Sequence, residues 1–253
     1  MPAWTWAAAS RRGTAHAAAG ERRQDAMRVV APRGSGGFIV AVACDGAGSA
    51  IRGGKGAALA ARTFAVGARL SLTARDGLPE EFVVDLWASL ANLRIAAAAE
   101  LRGLAPADFA TTVVMAASNG ATTLTAHIGD GAVVARDAGS GLWVPLSWPE
   151  HGEFAATTFF LTDDGGPRLR VARHDRAIDR LCVMTDGVER LALDFAAGAP
   201  HAPFLDALSG PIAASGVAGR DRRLSAALAA FLDSERVAER TDDDKTLVIA
   251  ALA

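Results

Sequence analysis

The most restrictive stretch of the chain is Phe38-Ile39-Val40-Ala41-Val42-Ala43-Cys44, which runs without a break into Asp45-Gly46-Ala47-Gly48-Ser49. Seven consecutive apolar residues between glycine-rich flanks read as a strand buried on both faces. Ending such a strand in a carboxylate and two glycines presents a hard ligand at a rigid edge. Taken alone, it reads sooner as an ordinary strand-to-helix turn with the aspartate as helix cap. The chain then repeats the device. Leu181-Cys182-Val183-Met184-Thr185 delivers Asp186-Gly187, and a third apolar strand over 246–252 is preceded by Asp242-Asp243-Asp244. Antiparallel strands set the C-terminal end of one beside the N-terminal end of the next. The acids after the first two strands and before the third are therefore expected at one edge. Carboxylates crowded there repel unless a multivalent cation lies between them, so the pattern predicts a metal site.

Length and charge narrow the alternatives. The 253 residues show no dividing linker and are read as one domain over 1–253. A formal net charge of -2 and the lack of a basic stripe with interleaved aromatics argue against nucleic acid as a partner. Cys44 and Cys182 each lie inside a predicted buried strand and are read as small buried hydrophobes. The opening Met1-Pro2-Ala3-Trp4-Thr5-Trp6 has no basic-then-apolar signal pattern, and no apolar run approaches the ~20 residues of a bilayer span. A cytoplasmic setting without membrane attachment is the expectation.

Along the chain, 5–10 is expected as an opening edge strand, and 27–31 with 38–44 as a hairpin turning over 32–37. Segments 57–70 and 79–102 read as helices covering one sheet face. In the second, Phe82, Leu86, Leu90 and Leu93 stand at helical spacing. Strands over 110–118 and 121–128 flank an Asn119-Gly120 turn, and Gly129-Asp130-Gly131 leads into 132–136. Strands near 142–146, 169–172 and 181–185, helices near 203–208 and 224–232, and the closing strand give an α+β order.

Read together, the acidic turns resemble those of the metal-dependent protein phosphatases of type 2C, and of their compact bacterial branch in particular. The resemblance rests on Gln24-Asp25-Ala26, Asp45-Gly46-Ala47-Gly48-Ser49, Ala110-Thr111-Thr112, Gly129-Asp130-Gly131, Thr185-Asp186-Gly187 and Asp243-Asp244-Lys245-Thr246, in that order across nearly the whole chain. Gly13-Thr14-Ala15-His16 and the run from Gly152-Glu153-Phe154 to Thr162 are also similar to that branch.

The resemblance implies an α-β-β-α sandwich of two packed antiparallel sheets flanked by helices. It also implies two Mg²⁺ or Mn²⁺ ions sharing a water, whose hydroxide attacks a phosphomonoester in line without a phosphoenzyme. Carried over by motif, Asp45 bridges both ions, Asp186 and Asp243 hold the first, and the Gly46 carbonyl holds the second. Asp25 acts through water. Asp108 is a candidate for the additional ion of bacterial members, and is as readily a solvated loop acid. A phosphorylated protein would be the substrate, with a cognate serine/threonine kinase as counterpart. Two positions depart from the family pattern: Ala47 stands where many eukaryotic members carry a proton-donating histidine, and Gly20 where many carry a phosphate-clamping arginine. Arg12, Arg22 and Arg23 are candidate substitutes for the clamp. A metal-bound water, or His16 upstream of Gln24-Asp25, is the candidate proton donor. The competing reading is a catalytically weak phosphoprotein-binding regulator on the same fold. An aspartyl-nucleophile phosphatase is set aside because residue 43 of its Asp-x-Asp-Gly pattern is alanine.

Overall fold

The computed structural model describes residues 3–31, 37–74, 77–150 and 158–252. In chain order these form β1 (Trp4–Arg11), α1 (Thr14–Ala18), β2 (Ala26–Val30), β3 (Ile39–Cys44), α2 (Gly53–Ala74) and α3 (Glu81–Glu100). A meander follows: β4 (Val113–Ser118), β5 (Thr123–Ile128), β6 (Ala132–Asp137) and β7 (Trp143–Ser147), then β8 (Arg170–His174) and β9 (Ile178–Met184). The remainder holds α4 (Glu189–Ala192), β10 (Leu193–Asp194), β11 (Ala199–Pro200), α5 (Ala202–Ala213), β12 (Gly219–Arg220), α6 (Arg222–Leu232), α7 (Glu235–Ala238) and β13 (Lys245–Leu252).

Two sheets pack face to face. One runs β2-β3-β4-β5-β8 and is antiparallel throughout; the other runs β12-β1-β13-β9-β6-β7. Period-two alternation along the strands divides their side chains between layers. On β3, Val40, Val42 and Cys44 face Phe64 of α2 and Trp87 of α3, while Ile39, Ala41 and Ala43 face Val183 and Val248 of the other sheet. Cys182, Met184, Leu247 and Ile249 turn outward onto Leu205 of α5 and Leu228 of α6. Both cysteines are free and buried, as expected. The α-β-β-α sandwich is thus observed.

Two expectations are corrected. The opening strand is no edge: β1 pairs with β13 along all of Trp4–Arg11, and β12 runs parallel on its other side. Residues Gly219–Arg220 carry no strand pattern, so sequence periodicity gives no hint of that cover. The second correction concerns α3. Phe82, Leu86, Leu90 and Leu93 are 59%, 61%, 42% and 67% exposed, and the buried face is Val84, Trp87, Ala88, Ala91, Ile95 and Ala99. The reason is close approach to α2. A Cβ added at Gly67 would stand 2.5 Å from the Trp87 indole nitrogen, so the missing side chain on α2 makes room for the α3 face that carries this indole.

Helix α3 is also the one helix among the described residues long and apolar enough to cross a membrane, with mean hydropathy 1.4. Its Trp87 and Ile95 are packed in the core beside α2. The motif at Gly152-Glu153-Phe154 and most of the expected 32–37 turn lie outside the described residues, as do Met1 and Pro2.

Candidate metal centre

Carboxylate oxygens of Asp45, Asp130 and Asp186 lie within 4.8 Å of one another. Each is delivered by an abrupt end of structure. Asp45 follows β3, and its backbone is pinned by two threonines. Thr112 donates its N–H to the Asp45 carbonyl at 2.8 Å, the Thr111 hydroxyl donates to the same carbonyl at 2.7 Å, and the Thr112 hydroxyl accepts from the Asp45 N–H at 3.1 Å. Gly46 extends this as an isolated bridge to Thr111. Asp186 opens a single 3-10 turn directly after β9.

Asp130 sits in the connection between β5 and β6, flanked by Gly129 at φ 88° and Gly131 at φ 89°. Only glycine adopts that left-handed conformation at little cost, so the turn's shape is fixed by sequence. Four further contacts hold it. Glu189 accepts from the Gly131 N–H at 2.6 Å, Thr158 donates to Asp130 Oδ2 at 2.6 Å, Glu150 donates its N–H to the Gly129 carbonyl at 3.1 Å, and His127 Nε2 meets the Asp130 carbonyl at 3.0 Å. Burial and the neighbouring Arg170 cation push the His127 pKa down to about 3, so its ring is neutral.

The other predicted acids surround this core. Asp25, at the start of β2, is buried and accepts from the Thr185 hydroxyl at 2.9 Å. Asp243 is half-buried, accepts from the Asp244 N–H at 2.7 Å, and lines with Asp186 an open cleft of about 340 Å³. Asp242 is exposed. Asp244 is fully buried, where it receives the Gly13 N–H at 2.6 Å and the Gln24 N–H and stands 3.0 Å from His16 Nδ1. With its amide nitrogen toward the Gly46 and Ala47 carbonyls, at 3.2 and 3.1 Å, Gln24 turns its oxygen to His16 Nε2 at 3.3 Å.

Electrostatically the cluster is strained as it stands. Loss of solvent raises the Asp45 and Asp186 carboxyls well above the usual range, and the charges of neighbouring acids, Asp25 on Asp45 and Asp130 on Asp186, add to it. Burial pushes Asp25 up to about 6 against hydrogen bonds that favour its ionised form, and Glu189 up to about 8. Asp243 is raised as well, chiefly by burial. His16 is raised: burial pulls it down, and the carboxylates of Asp244, Asp243 and Glu21 together outweigh burial. Among the described residues, Asp25 Oδ1 and Asp186 Oδ1 are buried with no hydrogen-bond partner. Crowded, orphaned hard oxygens suit divalent cations such as Mg²⁺ or Mn²⁺.

Asp108 does not share this site. It lies in the 3-10 turn Pro106–Phe109, where Oδ2 accepts from the Ala105 N–H at 2.9 Å, a local cap for the turn. The acid that does approach Asp45 and Asp186 is Asp130, which the sequence offered only as part of a turn. The signal was present in the glycines on either side.

The family description "Protein phosphatase 2C" matches residues 12–233. The chain is 36% identical over 254 residues to serine/threonine-protein phosphatase 3 of Escherichia coli (strain K12), covering 99% of both. Solved structures of similar fold include PppA, described as a key regulatory component of T6SS in Pseudomonas aeruginosa, with a TM-score of 0.66 at 15% identity, covering 99% of this chain and 98% of that one. The Mycobacterium tuberculosis serine/threonine phosphatase PstP/Ppp gives 0.63 at 17% identity, covering 98% of each. A match over most of its length, in the order in which its acidic turns meet, means that the chain belongs to the protein phosphatase 2C family.

Proposed function

We propose that this chain hydrolyses phosphoserine and phosphothreonine in proteins with Mg²⁺ or Mn²⁺ as cofactor. The observation that carries the reading is the approach of Asp45, Asp130 and Asp186 to within 4.8 Å together with the orphaned buried oxygens of Asp25 and Asp186. We assign Asp45, Asp186, Asp243 and the Gly46 carbonyl as ligands of two ions, Asp25 as a ligand through water, and Asp130 in place of Asp108 as the acid for a third. When bound, such ions neutralise phosphoryl charge and acidify water for in-line displacement.

The chain's own groups do the rest. Thr111 and Thr112 hold Asp45 at the strand end, and Glu189 and His127 hold the Asp130 turn. Gln24 brings an amide where the family has a carboxylate, which lowers the negative charge around Gly46. The intact acids, and 36% identity along the full length to a serine/threonine phosphatase, favour turnover over the regulator reading. A serine/threonine kinase must supply such a substrate. Two free cysteines fit a reducing, cytoplasmic setting.

The deciding experiment is release of phosphate from a phosphothreonine peptide with Mn²⁺, with Mg²⁺, and after chelation. Activity that survives chelation overturns the assignment. Within the site, Asp130→Ala is expected to lower activity at least about tenfold and shift its dependence on ion concentration, since even changes to the partners of metal ligands typically cost ~10–100-fold in affinity or activity. Asp108→Ala should leave both unchanged; the reverse pattern restores Asp108. His16 is proposed as the proton donor to the leaving group, its protonated form favoured by Asp244. His16→Ala should slow phosphoserine hydrolysis on the order of 10²-fold and nearly spare an activated aryl phosphate. Equal losses on both would assign His16 to holding Asp244.

A further inference from the structure

Beside the acidic centre lies a groove of the opposite sign. It has a volume of about 670 Å³ and runs between residues 21–24 and the turn leading into α2. Arg22, Arg23, Arg52 and Lys55 line it, all exposed, and Glu21 is the one acid in the lining. Arg23 donates to the Ser10 carbonyl at 2.7 Å. Among the described residues, the side chains of Arg22, Arg52 and Lys55 have neither an ion pair nor a hydrogen bond.

In a chain of net charge -2, four cations around one concavity mutually repel, and three of them make no side-chain bond to the fold in return. Convex charge runs are ordinary solvated faces; a concave, unpaired one is a place for an anionic partner. The groove also touches the centre. A Cβ added at Gly46 would stand 2.2 Å from the Gly53 carbonyl carbon, and one added at Gly53 would stand 2.6 Å from Gln24 Oε1. One layer of backbone therefore separates the groove floor from Gly46. A peptide bound at Asp45 advances ~3.3–3.6 Å per residue, so a few residues carry it across the groove.

We propose that this groove binds acidic side chains, aspartate or glutamate, that flank the phosphorylated residue of the substrate, and so selects acidic phosphoprotein segments. The proposal rests on the phosphatase reading above for its place in turnover. The contact itself is testable without turnover.

Three phosphothreonine peptides differing only in flanking Glu, Gln or Lys, together with an aryl phosphate, are compared on the wild type and on the Arg52→Glu/Lys55→Glu double variant. Neither residue belongs to the acidic centre. The wild type should prefer the Glu peptide over the Gln peptide by about tenfold in kcat/KM, mostly through KM, with the Lys peptide slowest. The double variant should lose that preference and keep aryl phosphate hydrolysis within about twofold. Raising salt to about 1 M, where the Debye length is ~3 Å, should erase it in the wild type as well.

In parallel, fluorescence anisotropy follows a labelled, unphosphorylated Glu-rich peptide binding to both proteins. Weakening on the order of tenfold by the double variant supports the groove even if no peptide is hydrolysed, in which case the phosphatase reading alone falls. No binding by the wild type, no Glu-over-Gln preference, or equal losses on all peptides overturns the groove. Arg52→Gln/Lys55→Gln repeats the measurement should charge reversal disturb folding.

Discussion

Asp45→Asn and Asp186→Asn should each abolish divalent-ion-dependent phosphopeptide hydrolysis, by on the order of 10³-fold, and should each make the metal-free protein more stable. The first effect follows from the loss of an anionic ligand at the centre. The second follows from the crowding of acids. Both carboxyls are held well above their ordinary range by burial and by neighbouring acids, so their ionised forms destabilise the fold. For Asp25, raised to about 6, the gap from its ordinary value is worth roughly 3 kcal/mol at neutral pH.

The sign follows from proton counts. At a pH between the unfolded and folded values, the native state keeps a proton that the unfolded chain has lost. The stability of the metal-free protein must therefore fall as pH rises from about 4 through 6 and beyond. An asparagine at Asp45 or Asp186 removes one charge and should raise Tm by roughly 4 °C or more. Mn²⁺ should stabilise the wild type strongly and the variants little. Thermal scans with and without chelator across that pH range read all of this. A variant that is both active and less stable without metal would mean the cluster is no metal site.

The largest loss of stability is expected at Asp244, the immediate neighbour of the candidate ligand Asp243. It is wholly buried, and the N–H groups of Gly13 and Gln24 and the His16 ring all converge on it. Asp244→Ala leaves these donors buried without an acceptor and should cost about 3–5 kcal/mol. Asp244→Asn keeps an acceptor and should cost less than half of that. Asp242→Ala, at an exposed position, should fall within about 0.5 kcal/mol of wild type. Urea denaturation with an unchanged slope measures the series. Equal midpoints for Asp242→Ala and Asp244→Ala would reverse the assignment of the buried acid.

The comparison between Asp244 and its neighbours shows what the sequence made legible. Three apolar runs ending or starting in acid predicted Asp45, Asp186 and the run Asp242-Asp243-Asp244 near one edge, because strand alternation and antiparallel pairing are local rules. Which of three adjacent aspartates turns inward depends on Gly13 and Gln24, more than 200 residues away, and local pattern cannot reach that far. Asp130 escaped for a related reason: its turn is set by its glycines, but its destination is set by the crossing from one sheet to the other. On α3 the leucine stripe was a false guide. The helix settled instead on the face that carries Trp87, whose indole fits against α2 only because Gly67 has no side chain there.

The layer between the two sheets gives that crossing a further meaning. Its inward faces are rich in alanine: Ala8, Ala41, Ala43, Ala116, Ala135 and Ala250 all lie there. Asp45 directly follows a strand of one sheet, and Asp186 lies two residues beyond a strand of the other. The gap between the carboxylates is therefore a gauge of how far apart the sheets stand, and the alanines are its shims. Added bulk at Ala43, two residues from Asp45, would widen that gauge without touching an acid. A core position would then be read out as selectivity between ions of different radius.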